Sequence, residues 1–270
     1  MCGFFKNCLT YSCISQNDLP FGMLKKERQN YILHQVNLHN RVLSSDLSMQ
    51  MNVSEDTIRR DLLELSENGK VIKVHGGALS RSFNSSLYNG QVYSLDHKKL
   101  IAYKAAQLIE DGMFVLTTGG TTIIELARAL PEGLKATFIT GSLPAAIEYL
   151  HHPNIDLVVI GDKVSKSSKI TIGGDAIKRI GSIRADLCFL GINAIDVSHG
   201  LTDNDWDVVE VKKAMIEASK RTVVLTISEK INTHQKIQIS GLDEIDTLVS
   251  ELPPDETILQ PYRQAGLTIL

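Results

Sequence analysis

From His97 to the end of the chain, short apolar runs alternate with amphipathic stretches, and no other feature narrows the possible fold so far. The runs are "MFVLT" (113–117), "ATFIT" (136–140), "DLVVIG" (156–161), "DLCFLGI" (186–192), "TVVLTI" (222–227) and "DTLVS" (246–250). Runs this short, bounded by turn residues, read as strands. Between them lie "IIELARAL", "AAIEYL", "AIKRI" and "VVEVKKAMIEAS", with apolar residues at helical spacing. The first five runs scarcely alternate, which is the pattern of strands covered on both faces. Strand and helix in repetition predict a parallel sheet with helices packed on it, a Rossmann-like α/β domain over 97–270.

A smaller unit precedes it, over 23–79. Residues 25–36 read as a helix, 45–51 as a short second one, and a third begins at Ser54. Ser54 is a good N-cap, Glu55 and Asp56 occupy the first turn, where the helix dipole favours acids, and Val53 can staple onto Ile58. Ile58, Leu62 and Leu65 fall at i, i+4 and i+7 on one buried face, and Gly69 stops the helix. The "MNV" turn between the second and third helices makes a helix-turn-helix, and "KVIKVHGGAL" (70–79) can form a two-stranded wing. Thr57, Arg59 and Arg60 then face outward near the start of the third helix. By pattern alone the two arginines either read DNA or pair with Glu55, Asp56, Asp61 or Glu64 on a solvated face.

Charge limits what such a face can do. Residues 23–80 carry eight Lys/Arg against seven Asp/Glu, and 81–270 carry nineteen against twenty-three. Neither segment is a polycation, so a nucleic-acid partner has to be held by a local patch. Cys2, Cys8, Cys13 and Cys188 form no C-x-x-C pair, which argues against a zinc site or disulfide framework and for a reducing cytoplasm. No apolar run is long enough to span a membrane. Residues 1–22 read as a tail or upstream extension rather than a signal peptide, and the Ser/Asn/Gly-rich 80–96 as a connector.

The stretch "VLTTGGTTIIELARAL" (115–130) carries the clearest site chemistry. A buried strand runs into Thr118-Gly119-Gly120, and Thr121 and Thr122 open a helix. Glycines let backbone N–H groups approach an anion, and the helix start favours negative charge. The same layout is open to a plain strand-to-helix connection. It is neither a dinucleotide fingerprint nor a Walker motif, and no cofactor or metal is indicated. "ITGSLPAA" repeats the layout at Gly141 and Ser142, and "TIGGDA" adds Gly173 and Gly174. "GLTDNDWD" (200–207) reads as a polar loop holding Thr202, before a helix bearing Lys212. Lys212 reads either as a phosphate partner or as an ordinary solvated lysine. Such loops converge at the carboxyl ends of a parallel sheet, where ligands bind.

"LSSDLSMQMNVSEDTIRRDLLELSENGKVIKVHGGAL" resembles the DNA-binding domain of the DeoR family of bacterial transcriptional regulators. By that resemblance Ser54, Thr57, Arg59 and Arg60 form the recognition face on double-stranded operator DNA, and Lys73 and His75 are wing contacts. "KLIAYKAAQLIEDG", "GGTTIIELARAL", "FITGSL", "RADLCFLGINAID", "GLTDND" and "VKKAMI" resemble the family's effector domain, related in fold to ribose-5-phosphate isomerase and glucosamine-6-phosphate deaminase. The resemblance implies a repressor controlled by a phosphorylated sugar or related metabolite, working as a homo-oligomer (dimer or tetramer). It marks Thr118, Gly119, Gly120, Thr121, Thr122, Gly141, Ser142, Gly173, Gly174, Thr202 and Lys212 as effector-site candidates.

Two positions depart from the family. Thr117 stands where an aspartate often precedes the glycine turn, and Ile227 stands at the aspartate of a late D-x-S-K, here Ile227-Ser228-Glu229-Lys230. Both changes remove a carboxylate that could bond sugar hydroxyls. The alternative function is an isomerase or deaminase of sugar phosphates with DNA binding appended. Its base would come from Asp203, Asp205 or Glu210, of which the first two read as solvated loop residues.

Overall fold

Three helices and three short strands make the first unit. The computed structural model of the chain describes residues 23–81 and 92–270. The expected tail, three of the four cysteines and most of the expected connector lie outside these residues. The chain divides into two compact units, residues 23–36 with Arg41–Leu79, and Asn37–Asn40 with the described residues from Ser80 onward. Helix α1 (Lys25–His39) leads to β1 (Arg41–Leu43), α2 (Ser44–Met51), α3 (Glu55–Glu67), β2 (Val71–Val74) and β3 (Gly77–Ser80).

Local chemistry sets these boundaries. Asn52 ends α2 in the left-handed region at φ 51°, a conformation asparagine tolerates better than most residues. Extended Ser54 then caps α3, its Oγ accepting from the Thr57 N–H at 3.3 Å. At the far end Lys70 N–H bonds Leu65 O and Gly69 N–H bonds Ser66 O, the paired bonds of a Schellman stop, with Gly69 at φ 66°. Ile58, Leu62 and Leu65 are buried as their spacing requires, in one core with Ile32, Val36, Leu47 and Met51.

Two features of this unit were not foreseen. β1 joins the wing, giving a three-stranded sheet in the order β1-β3-β2. A Cβ on Gly77 would stand 1.9 Å from Val42 O, so only glycine lets β3 approach β1 this closely. Asp61, on α3, is buried and forms an ion pair with Arg28 of α1, with Gln29 adding a longer contact.

The second unit runs α4 (Leu95–Ala106), β4 (Phe114–Thr117), α5 (Thr121–Arg128), β5 (Thr137–Thr140), α6 (Leu143–Tyr149), β6 (Asp156–Val159), β7 (Lys163–Val164) and β8 (Thr171–Ile172). There follow α7 (Gly174–Gly181), β9 (Leu187–Gly191), β10 (Ala194–Asp196), β11 (Gly200–Asp203), α8 (Trp206–Glu217), β12 (Thr222–Leu225), β13 (Ile237–Ser240), β14 (Thr247–Val249), α9 (Gln260–Gln264) and β15 (Thr268–Ile269). α4 starts inside the expected connector.

All six anticipated strands enter one parallel sheet, in the order β15-β14-β12-β9-β4-β5-β6. Successive strand residues supply opposite faces. Val115, Phe138, Leu187, Phe189 and Val223 join a core with residues of α4, α5 and α6, while Leu116, Ile139, Cys188, Leu190 and Val224 join one with α7, α8 and α9. Two sequence readings are corrected. β6 is an edge strand with Val158 and Val159 exposed, because among the described residues only β5 pairs with it. "GLTD" is a buried strand of a small antiparallel sheet, β10-β11-β13, because both its neighbours supply hydrogen bonds.

Candidate functional site

The strand order places a topological switch between β4 and β9. From β4 the chain steps outward through β5 to β6, then returns to β9 on β4's other side and continues to β12, β14 and β15. Connections leave the carboxyl ends of β4 and β9 in opposite directions there and open a crevice. Thr118 closes its floor. Its N–H donates to Phe189 O at 3.1 Å, and its Oγ1 accepts from the Gly191 N–H at 2.8 Å.

Beside this floor, Gly120 at φ 115° stands at the N-cap of α5, where it offers no side chain to cap the helix. Thr121 and Thr122 stand in its buried first turn. Gly119 faces Ser142 and Ile170 at a distance that excludes a side chain, its imagined Cβ being 2.8 Å from Ile170 Cγ2. Gly141 lies against Thr171 Oγ1 in the same manner. Ser142 Oγ caps α6 by accepting from the Ala145 N–H at 3.4 Å. Thr118 to Thr122, Gly141 and Ser142 are thus brought together.

Gly173 and Gly174 also open a helix, but this start is already filled. The Asp162 carboxylate accepts from the N–H groups of Asp175 (3.0 Å) and Ala176 (3.1 Å). Backbone donation from Lys163 and Ala176 leads the effects that hold this carboxyl below its usual range. The protein's own anion occupies the position expected for a ligand's.

Lys212 is buried, contrary to the solvated alternative, with Nζ 2.8 Å from the buried Asp203 carboxylate. Asp203 also accepts from Asn193 Nδ2 at 2.9 Å and from the Asn204 N–H at 2.7 Å. Burial would raise its pKa, but the Lys212 charge and these hydrogen bonds outweigh burial and lower it. Thr202 Oγ1 accepts from the Gln235 N–H at 2.7 Å, so its hydroxyl braces the neighbouring loop. The expectation that Asp203 is a solvated loop residue is overturned, because β11 carries it into the sheet.

Sequence reasoning missed two lysines that complete the cluster. Lys230 donates to Ile192 O at 2.7 Å. Burial first, then the charges of Lys98 and Lys212, push it down to about 7, against the opposing pull of Asp203 and Glu229. Lys98, in the first turn of α4, donates to Tyr93 O at 2.6 Å. Burial brings it down to about 8, although Glu229 and Glu125 pull the other way. Glu229 in turn accepts from the hydroxyls of Tyr93 and Ser94. The signal for Lys230 was present, since it follows a strand's carboxyl end just as the glycine turns do. Lys98 had none, because nothing separates it by pattern from Lys99.

The two family departures belong to the interior. Thr117 and Ile227 are both buried, and Ile227 packs in the core that holds Phe138 and Tyr149. The Thr117 and Tyr149 hydroxyls lie near one another in this interior, and among the described residues neither makes a hydrogen bond of good geometry; burial raises the Tyr149 pKa and the Thr117 hydroxyl opposes it.

In the first unit, Arg59 pairs with Glu55 (3.0 Å) and Asp56 (3.1 Å). Arg60 is exposed and makes no ion pair or hydrogen bond among the described residues. Ser54 and Thr57 are engaged in the cap, their hydroxyls 2.9 Å apart. Lys73 and His75 are exposed on the wing.

Residues 28–83 match the DeoR-like helix-turn-helix domain, and residues 94–252 match the DeoR C-terminal sensor domain. The chain belongs to the DeoR family. It is a helix-turn-helix transcriptional regulator whose DNA-binding domain precedes a sensor domain. An HTH-type transcriptional regulator of Listeria innocua is 30% identical over 92% of this chain and 98% of its own length. The glycerol-3-phosphate regulon repressor of Escherichia coli K12 is 27% identical over 88% of this chain and 95% of its own length. Among solved structures, a ribose 5-phosphate isomerase of Methanocaldococcus jannaschii overlays 51% of this chain and 55% of that one, at 21% identity and a TM-score of 0.37. Among the described residues of this DeoR-family chain, no helix is long and apolar enough to cross a membrane.

Proposed function

We propose that this chain is a cytoplasmic repressor of a metabolic operon, released from operator DNA when its sensor domain binds a phosphorylated sugar or related metabolite. The observation that carries the reading is the convergence of Lys98, Lys212 and Lys230 on the sheet's switch point, beside the uncapped start of α5. Cations and bare N–H groups together form an anion site of the kind phosphate prefers. Ligand would act by binding one arrangement of the protein better than the other.

Binding without turnover fits the carboxylates. Asp203 is committed to Lys212 and Asn193, Asp205 caps α8, and Glu210 pairs with Lys213. None is left as an unencumbered base.

The test has two arms. Thermal unfolding is followed with glycerol 3-phosphate, ribose 5-phosphate, glucosamine 6-phosphate and inorganic phosphate, and a ligand at a hundred times its Kd stabilises by about 2.7 kcal/mol. Anisotropy then follows binding to DNA upstream of the protein's own gene. Arg60→Ala is expected to cost about 1–3 kcal/mol if Arg60 reads a base edge. Absence of sequence-specific, salt-sensitive DNA binding would sink the repressor reading, and turnover of a sugar phosphate would replace it with the enzyme.

A further inference from the structure

Helix α1 belongs to both units. Residues 25–36 group with the first, and Asn37–Asn40, its last turn and the residue beyond, group with the second. Leu38 is buried in the sheet core that holds Ile101 and Ala102. Asn37 Oδ1 accepts from Ser80 Oγ at 3.0 Å, and Asn40 O accepts from the Ser80 N–H at 2.8 Å. The earlier part of the same helix bears on α3. It does so through the pair of Arg28 with buried Asp61, and through Ile32 and Val36 in one core with Ile58 and Leu62.

Half-buried His39 ends α1, and within the second unit two routes join its ring to the buried ion pair of Asp203 with Lys212. On one, the Asn193 side chain donates to Asp203 Oδ1 at 2.9 Å, and the Asn193 carbonyl oxygen lies 3.2 Å from His39 Nδ1. A carbonyl only accepts, so Nδ1 donates in this bond. On the other, the Asn204 N–H donates to the same Asp203 oxygen at 2.7 Å, and the Asn204 side chain donates to Gln235 Oε1. Gln235 Nε2 in turn lies 3.3 Å and 3.5 Å from the two ring nitrogens of His39. One carboxylate thus reaches one imidazole through the amide side chains of Asn193, Asn204 and Gln235.

We propose that His39 is the coupling residue between the sensor site and the DNA-binding unit, its contacts with Asn193 and Gln235 tying the last turn of α1 to the pair of Asp203 with Lys212. The inference rests on the reading of Lys212 as a phosphate partner, and adds the residue by which occupancy of that site reaches α3. An anion at Lys212 Nζ competes with Asp203 for the ammonium charge. A buried carboxylate that loses its cation is left uncompensated and must lean on its remaining donors, here Asn193 and Asn204. Both lead to His39, so the occupied and the empty site favour different settings of the last turn of α1. The helix carries that difference to Arg28 and Ile32, where it bears on α3.

The test measures coupling rather than affinity. Anisotropy follows the full chain on DNA upstream of its own gene, without ligand and then with saturating glycerol 3-phosphate, ribose 5-phosphate, glucosamine 6-phosphate or inorganic phosphate in turn. In wild type at least one of these is expected to raise the DNA Kd by ~5-fold to ~150-fold, the ordinary range of coupling. His39→Ala is expected to bind DNA without ligand as wild type does, to keep the thermal shift that phosphate gives, and to lose the rise in Kd. His39→Asn keeps an N–H donor where Nδ1 stands and is expected to restore most of that rise. Release of His39→Ala to the wild-type extent overturns the role of His39 and leaves the sensor reading intact. So does a His39→Asn variant no better coupled than alanine. Loss of ligand-free DNA binding in His39→Ala also overturns it, since that marks a structural contact. A phosphate that stabilises wild type without releasing it from DNA overturns the coupling alone. Failure of every phosphate to stabilise or release wild type overturns the sensor reading, and the coupling role falls with it.

Discussion

At Lys230 the local field decides how the protein answers an anion. Its amine, pushed down to about 7, is half deprotonated near neutrality in the free protein. A phosphate beside it restores the charge, so binding takes up a proton above about pH 7. Affinity for a phosphate-bearing ligand is therefore expected to fall by up to about tenfold per pH unit above 7. Calorimetric titration in buffers of different ionisation enthalpy measures the proton uptake, and Lys230→Met should reduce both the uptake and the pH slope near neutrality, leaving the part that Lys98, lowered to about 8, contributes. The stability of the free protein should move the opposite way. The unfolded lysine keeps its proton to near 10.5 and the folded one loses it near 7, so this residue's penalty is full below pH 7 and fades as pH rises. On α3, the inequality of the two arginines is a residue-scale prediction too. Arg59 must give up Glu55 and Asp56 to reach DNA, so Arg59→Ala should cost less affinity than Arg60→Ala in the same anisotropy assay.

Among the elements, α3 and the wing depend on contacts of quite different visibility. Ser54→Ala should destabilise the DNA-binding unit by about 1 kcal/mol, the ordinary value of an N-cap. Asp61→Ala should cost more, about 3 kcal/mol, because it strands the largely buried Arg28 without its partner. Chemical denaturation of each variant ranks the two, and equal effects would mean that Arg28 recovers its hydration. The cap was legible in "VSEDTIRRDL" because capping is a contact between near neighbours. The Asp61 pairing was not, because its partner lies thirty-three residues away and Asp61 read as one more acid on a charged helix. The same holds for β1. Three residues carry no periodicity, and Arg41–Leu43 is a strand only because Gly77 lets β3 come against it.

For the whole molecule, separate cores in the two units imply two separable responses. The cluster around Ile58 and Leu62 belongs to one unit, and the two clusters on the faces of the parallel sheet belong to the other. In scanning calorimetry a phosphate ligand is expected to raise the transition of the sensor unit, while Asp61→Ala lowers that of the DNA-binding unit. A single transition moved by both changes would show that the units unfold together.

Sequence alone determined the parallel α/β architecture, the three helices of the DNA-binding unit and the glycine turn at 118–122. Each of these rests on spacing within a few residues, and spacing is what a sequence displays. Only the tertiary structure decided the rest. It filled the start of α7 with Asp162, buried Lys212 against Asp203, and brought Lys98 and Lys230 from distant segments to the same crevice. It also placed Thr117 and Ile227 in the interior and left β6 as an open edge. The physical reason is common to all of these: a charge or an apolar residue acquires its role from what lies across space, and strand order, which no local pattern encodes, sets those neighbours.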